Sequence, residues 1–95
     1  MERPCTVKIR KSAEKKLDRL PKHIKEAVYV WLVSVEEEGI RSVRRLPGYH
    51  DEPLKGKRKG QRSVRLSRSY RLIYEEITTK EEIVLTVIEV SKHEY

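Results

Sequence analysis

The sequence predicts a single α+β domain over residues 1–95, with N-terminal helices packed on one face of a small antiparallel β-sheet. Three observations predict this class. A chain of 95 residues can bury one modest core but not two. After one short alternating segment, apolar residues recur at helical spacing in the first half of the chain. In the last third they recur at strand spacing, so the predicted order is βααβββ.

The first strand and the first helix are short. Residues 6–10 alternate, with Val7 and Ile9 on one face, and predict a strand. A helix with a thin apolar stripe follows, because three apolar side chains are spaced i, i+4 and i+7: Ala13, Leu17 and Leu20. Pro21 ends this helix and can occupy the first turn of the next one.

Residues 21–38 predict a longer second helix. Its apolar stripe keeps helical spacing along the whole segment and consists of Ile24, Ala27, Val28, Trp31, Leu32 and Val35. Tyr29, Val30 and Val33 widen the apolar surface beyond this stripe. Either the helix is deeply buried, or part of it is a protein-binding face. Gly39 is a suitable stop residue.

The second half of the chain predicts a loop and three strands. A short helical segment ends before Pro47-Gly48, and residues 49–60 are polar and interrupted by Pro and Gly, as is typical of a loop. Strands are predicted at residues 61–66, 70–76 and 82–90. The last of these is apolar on both faces, which favours the middle of the sheet. The face of the sheet opposite the helices is expected to be open and to carry Arg65 and Arg71.

Positive charge is concentrated between Pro53 and Tyr74. This segment has no acidic residue and eight basic ones: Lys55, Lys57, Arg58, Lys59, Arg62, Arg65, Arg68 and Arg71. The formal net charge of the whole chain is +7, so the other positions sum to −1. Such a segment attracts polyanions by counterion release, and we expect these side chains to contact RNA phosphates. The alternative is a solvated basic loop that leads into an ordinary strand.

Several features limit the class of protein. The single cysteine, Cys5, cannot form an internal disulfide, which fits a reducing cytoplasm. No apolar run reaches about 18 residues, and the N-terminus lacks the apolar core of a signal peptide, so we expect a cytoplasmic protein with no membrane partner. The run His50-Asp51-Glu52 has no spacing typical of a metal site, and no metal or other cofactor is expected.

The residues before and within the C-terminal strands are of the types that RNA cleavage without a metal requires. This reaction needs a base for the ribose 2′-OH, an acid for the departing 5′-oxygen and cations around the phosphate. The acid and base candidates are Glu52, His50 and His93. The candidate cations are Lys55, Arg65 and Arg71, and Tyr95 can stack on a nucleobase.

Each of these residues also has a structural interpretation. Glu52 can pair with its basic neighbours, and His93 can be merely exposed near the terminus. Arg71 lies among apolar residues and needs a partner, for which the candidates are Glu75 and Glu89. Two tyrosines on one strand face are more typical of a core than of a stacking surface: Tyr70 and Tyr74.

Four segments occur in order after the helices: EPLKG, GQRSVRL, YRLIYE and the terminal VIEVSKHEY. Together they resemble the RelE/ParE superfamily of bacterial toxin–antitoxin toxins, and most closely its RelE, YoeB and HigB-like members. The resemblance covers nearly the whole chain. It implies a microbial-ribonuclease-like fold, cleavage of mRNA in the ribosomal A site, and inhibition by a cognate antitoxin. The implied partners are therefore an antitoxin protein, the ribosome and mRNA.

The resemblance also implies roles for individual residues. Glu52 is the expected general base and His93 the expected general acid. The expected phosphate ligands are Arg65, Arg71 and Lys55. Tyr95 is expected to orient or stack on a base.

The sequence departs from the family pattern in two places. Glu94 separates His93 from Tyr95. The LKGxRxGQ segment is closer to HigB-like members, so His50 is an alternative base to Glu52. Two other functions stay open at this point: inhibition of DNA gyrase, as in the ParE branch, and a small RNA-binding module without catalysis.

Overall fold

A computed structural model describes residues 3–92 and contains one β-sheet and three α-helices. The helices are α1 (Lys11–Leu17), α2 (Lys22–Glu38) and α3 (Ile40–Arg44). The strands are β1 (Cys5–Ile9), β2 (Glu52–Pro53), β3 (Gln61–Arg65), β4 (Tyr70–Thr78) and β5 (Ile83–Lys92). One short 3₁₀ turn leads into the predicted loop at Pro47–Tyr49, and a second lies within it at Gly56–Arg58. The predicted α+β class is confirmed.

The sheet has the order β1-β5-β4-β3-β2. The apolar strand β5 lies between β1 and β4, in the interior position that its composition predicts. Neighbours β2 to β5 pair antiparallel, but β1 pairs parallel with β5. The sheet is therefore mixed. The helices connect β1 at one edge to β2 at the other edge, and such a long connection permits the parallel pairing of β1 with β5. The predicted loop also contributes a strand, since Glu52 and Pro53 pair with Ser63 and Arg62 of β3.

Helix α2 supplies the helical half of the core. Its buried residues follow one stripe: Ile24, Val28, Trp31 and Val35. The Trp31 ring packs against the Tyr74 ring of β4, with 5.3 Å between their centroids. Tyr74 is fully buried, so its predicted place in the core is confirmed. Tyr29 and Val30, in contrast, are 67% and 56% exposed and lie on the outer side of the helix.

The connections at the two ends of α2 fix its position. Gly39 ends the helix with φ = 88°, a backbone conformation that residues with a Cβ rarely adopt. Its N–H donates a hydrogen bond of 2.9 Å to the Val35 carbonyl. Glu36, in the last turn, accepts a hydrogen bond at 3.1 Å from the N–H of Val7 in the edge strand β1. This carboxylate joins the helix to the sheet through the main chain.

The second face of the sheet is polar and only partly covered. Helix α1 packs against β5 and buries Ala13. The loop between β2 and β3 crosses the same face, because its Arg58 side chain reaches Glu89 of β5. No helix within residues 3–92 combines the length and the apolar composition that crossing a bilayer requires.

Trp31→Ala is expected to lower the free energy of unfolding by about 3–5 kcal/mol, because the side chain is fully buried against Tyr74. Urea titration followed by circular dichroism measures this loss. The matched control is Tyr29→Ala on the exposed side of the same helix, which should change the value by less than about 0.5 kcal/mol. Equal losses for the two variants would contradict this packing of α2.

Candidate active site

Strand register brings functional side chains into two neighbouring rows on the partly covered face of the sheet. Residues directly opposite each other on paired strands share a face. One row crosses four strands and consists of Glu52, Ser63, Ile73 and Glu89. The next row crosses three strands and consists of Arg65, Arg71 and Ser91. The register therefore places a carboxylate row beside a guanidinium row.

Arg71 is anchored on this face by two neighbouring side chains. Its side chain is 27% exposed, and its Nη1 donates a hydrogen bond of 3.1 Å to the hydroxyl of Ser63, which is buried. The same Nη1 lies 3.8 Å from Oε1 of Glu52, whose side chain is 60% exposed. Arg71 thus has Ser63 and Glu52 as partners among the described residues, and neither Glu75 nor Glu89 plays that part.

Glu89 is held by two other side chains. Arg58 Nη2 donates to its Oε1 at 2.8 Å, and the Ser91 hydroxyl donates to its Oε2 at 2.8 Å. The hydrogen bond from Arg58, followed by that from Ser91, lowers the pKa of Glu89. Arg58, Glu89 and Ser91 line an open cleft of about 490 Å³ together with Ser63 and Arg71. This cleft, called the first cleft below, leaves room for a ligand above the Arg71 side chain.

A buried carboxylate on the opposite face holds the segment that carries Glu52. The Asp51 side chain is 1% exposed. Its Oδ1 accepts a hydrogen bond of 2.5 Å from Arg62 Nε, and its Oδ2 accepts one of 2.7 Å from the Tyr74 hydroxyl. Arg44 of α3 donates to the Tyr74 oxygen at 3.0 Å and to Glu76 Oε1 at 2.5 Å. These contacts tie α3, β3 and β4 to the residue that immediately precedes Glu52.

The Tyr74 hydroxyl remains a proton donor in this network. Burial, and then the hydrogen bond to Asp51, raise its pKa well above the ordinary value for tyrosine. The hydroxyl therefore stays neutral at physiological pH and keeps its bond to the carboxylate.

The predicted phosphate ligands do not all meet at the first cleft. Arg65 lies opposite Arg71, and Arg58 lines the cleft. Arg62 lies apart from them, contrary to the prediction that it contacts RNA. Its side chain turns to the core face, where it donates hydrogen bonds to Asp51. Four others are exposed: Lys55, Lys57 and Lys59 on the loop, and Arg68 in the β3–β4 turn.

The acid and base candidates are placed as follows. Glu52 lies beside Arg71, as described above. His50 is exposed and adopts a left-handed conformation with φ = 43°. His93 and Tyr95 lie outside the described residues, so their predicted roles rest on the sequence. Within residues 3–92, no group of three or more His, Cys, Asp and Glu side chains is arranged to hold a metal ion.

Sequence reasoning missed three features of this region. Ser63 has the same parity as Arg65 on β3, and that spacing is the signal for its contact with Arg71. Asp51 has no comparable signal, because its partners are 11 and 23 residues away along the chain. Helix α1 and its flanks also carry strong positive charge. The net charge of −1 outside residues 53–74 does not reveal it, because acidic residues elsewhere in the chain cancel it.

No family model matches the sequence, and no curated protein matches it either. Solved structures do. The toxin–antitoxin complex RelBE2 from Mycobacterium tuberculosis matches with a TM-score of 0.68 and 25% identity, covering 95% of this chain and 99% of that one. The archaeal RelE–RelB complex from Pyrococcus horikoshii matches with a TM-score of 0.68 and 27% identity, covering 92% of each chain. The chain belongs to the RelE/ParE superfamily.

A third RelE/ParE-type structure extends the likeness in fold. YafQ from E. coli has a TM-score of 0.72 at 16% identity and covers 97% of this chain and 94% of that one. The superfamily fold is therefore retained over nearly the full length.

Asp51→Asn is expected to lower the free energy of unfolding by about 2–3 kcal/mol, because the partly buried Arg62 and the buried Tyr74 donors lose a charged acceptor. The control is Glu52→Gln, one residue further along, which removes a charge from an exposed side chain and should cost less than about 0.5 kcal/mol. Urea denaturation distinguishes the two. A loss for Asp51→Asn no larger than that for Glu52→Gln would show that the network does not stabilise the fold.

Proposed function

We propose that this RelE/ParE-superfamily protein is the toxin of a type II toxin–antitoxin pair and an endoribonuclease that cuts mRNA in the ribosomal A site. The observation that carries the proposal is the anchored Arg71 guanidinium beside the exposed Glu52 carboxylate, next to an open cleft. A fixed cation and an exposed carboxylate 3.8 Å apart are suited to a reaction in which negative charge develops on a phosphate.

The proposed reaction needs no metal. Glu52 removes the proton from a ribose 2′-OH, and the 2′-oxygen attacks the adjacent phosphorus. The bond from phosphorus to the 5′-oxygen breaks, and His93 protonates that oxygen. The products are a 2′,3′-cyclic phosphate and a 5′-hydroxyl. Arg71 and Arg65 stabilise the charge on the phosphate oxygens, with Lys55 as a further ligand, and Tyr95 stacks on a base.

The exposed basic loop supports a ribosomal site of action. Lys57 and Lys59 are exposed, and neither is among the residues that line the first cleft. Cations of this kind give salt-dependent, sequence-independent affinity for phosphate backbones such as those of ribosomal RNA. The protein then acts in the cytoplasm, where translating ribosomes are found.

The proposed antitoxin is an acidic or amphipathic segment that contacts α2. The solved RelBE2 and RelE–RelB structures are complexes with antitoxins. In this chain, the exposed Tyr29 and Val30 provide apolar area on the outer side of α2. An amphipathic segment binds such a surface by burying its own apolar side chains.

Arg71→Ala is expected to reduce mRNA cleavage at least about tenfold, because one lost charge-assisted hydrogen bond to the transition state is worth well over 1.4 kcal/mol. Primer extension on an mRNA undergoing translation in vitro measures the cuts, with and without ribosomes. His93→Ala should lose cleavage to a similar extent through loss of the general acid. The control is Lys80→Ala in the exposed β4–β5 turn, which should retain wild-type cleavage.

The two possible failures have different meanings. Ribosome-dependent cuts that persist in Arg71→Ala would refute the assignment of this site. Complete absence of cuts with the unaltered protein would refute the endoribonuclease proposal, and a supercoiling assay with DNA gyrase would then test ParE-like action.

Induced expression of the chain is expected to arrest bacterial growth, and co-expression of its antitoxin to relieve the arrest. Tyr29→Asp should keep the arrest but weaken the relief, because it places a charge on the proposed α2 contact. Growth curves with the product of an adjoining short gene measure both effects. Relief as strong for Tyr29→Asp as for the unaltered chain would exclude α2 as the contact.

A further inference from the structure

A second cleft opens beside the first and lies between α1 and the sheet. It is an open cleft of about 640 Å³, and its polar lining comes from Arg10, Ser12, Lys16, Arg58, Gln61 and Glu89. Two of these residues, Arg58 and Glu89, also line the first cleft. The two clefts therefore adjoin each other, with the Arg58–Glu89 ion pair between them.

The charge of the second cleft favours an anion. Three cationic side chains line it: Arg10, Lys16 and Arg58. Among the described residues that line the cleft, Glu89 is the one acidic residue. Glu89 is bonded to Arg58 and also feels the charge of Lys16, so cations already neutralise it. The flanks of α1 add further positive charge, because residues 10–22 contain six basic residues against Glu14 and Asp18.

The cleft also offers hydrogen-bonding groups suited to a ribose-phosphate backbone. Ser12 contributes an exposed hydroxyl. Gln61 contributes an amide whose Nε2 can donate to a phosphate oxygen. Its Oε1 is covered, has no donor among the described residues and can accept only from a hydroxyl such as that of a ribose. The apolar part of the lining is small and comes from Ala13 and Ile88. This composition matches a phosphodiester better than it matches an apolar peptide segment.

We propose that the second cleft is a phosphate-binding subsite for the nucleic-acid strand that also occupies the first cleft. Arg10 and Lys16 contact a phosphodiester away from the one that is cut, and Arg58 contacts the strand between the two clefts. Entry of the strand breaks the Arg58–Glu89 ion pair, because the phosphate competes with Glu89 for the guanidinium. This inference rests on the proposed function for its substrate and adds the position of a second contact.

The first test measures binding rather than cleavage. The probe is a nine-nucleotide RNA with 2′-O-methyl groups, which has no free 2′-OH and cannot be cut by the proposed reaction. Fluorescence anisotropy over a series of salt concentrations gives the dissociation constant and its salt slope. Lys16→Ala should weaken binding and reduce the slope by about 1, as expected for the loss of one phosphate contact.

Lys15→Ala is the matched control, because Lys15 is the neighbouring residue of the same helix and does not line the second cleft. It should leave the slope unchanged. Both lysines are exposed, so circular dichroism should show the same fold and thermal midpoint for both variants. Equal slopes for Lys15→Ala and Lys16→Ala would overturn the subsite.

Glu89→Gln provides an independent test with the opposite sign. It removes the acidic residue of the cleft and frees Arg58, so binding of the same RNA should become several-fold tighter. Unchanged or weaker binding would show that phosphate does not compete with Glu89 for Arg58.

A parallel binding assay with vacant ribosomes distinguishes two sources of the phosphate. If Lys16→Ala weakens binding to the RNA probe, the phosphate belongs to the single strand. If it weakens binding only to vacant ribosomes, the phosphate belongs to ribosomal RNA, and the claim of a continuous strand is overturned. If the unaltered protein cuts mRNA but Lys16→Ala changes binding in neither assay, the subsite is refuted and the proposed reaction stands. A Lys16 effect on binding in a protein that cuts no mRNA refutes the proposed reaction alone.

Discussion

The buried carboxylate of Asp51 is the contact on which the geometry of the candidate site depends. It accepts hydrogen bonds from Arg62 on β3 and Tyr74 on β4, and Arg44 links the same network to α3. A buried acceptor of this kind is costly to leave unpaired, so the network disfavours separation of α3, β3 and β4 from one another. Because Glu52 is the next residue, its distance from Arg71 is set by contacts made on the opposite face of the sheet.

The two faces of the sheet have different tasks as a result. The helix-covered face contains the core stripe of α2 and, at one end, the Asp51 network. The other face carries the rows of Glu52 and Arg71, which strand register places side by side, two residues apart along β3. The functional side chains can thus remain partly exposed without weakening the core. Ser63 differs from these partly exposed side chains, because it is buried although its hydroxyl accepts a hydrogen bond from Arg71.

Local patterns were sufficient to predict most of the fold. The α2 stripe and the doubly apolar β5 have strong periodicity, and both were predicted with nearly the observed bounds. The parallel pairing of β1 was not predictable, because strand direction depends on where the intervening helices leave the chain. The two-residue strand β2 is too short to have any periodicity of its own.

The candidate site was only half predictable for a related reason. Arg71 and Glu52 stand out as charged residues next to apolar strands, and the family resemblance identifies both. Their supporting residues do not stand out. Asp51 and Glu89 gain their roles from contacts between distant parts of the chain, which no local pattern encodes. For Ser63, its parity with Arg65 on β3 is the one local signal. For Arg62 the local pattern misleads. It lies in a basic segment and is therefore predicted to contact RNA, but its side chain binds the buried Asp51 carboxylate.

The Glu36 carboxylate at the edge strand β1 has a consequence for self-association. Open sheet edges can template pairing with a second chain, which leads to aggregation or strand exchange. Here the N–H of Val7, in the middle of β1, is already occupied by Glu36. A strand added at this edge would face a carboxylate that has lost its donor and would repel the incoming carbonyl groups. The same helix end that fastens α2 to the sheet therefore also protects a highly charged, partly open protein from polymerising through its first strand.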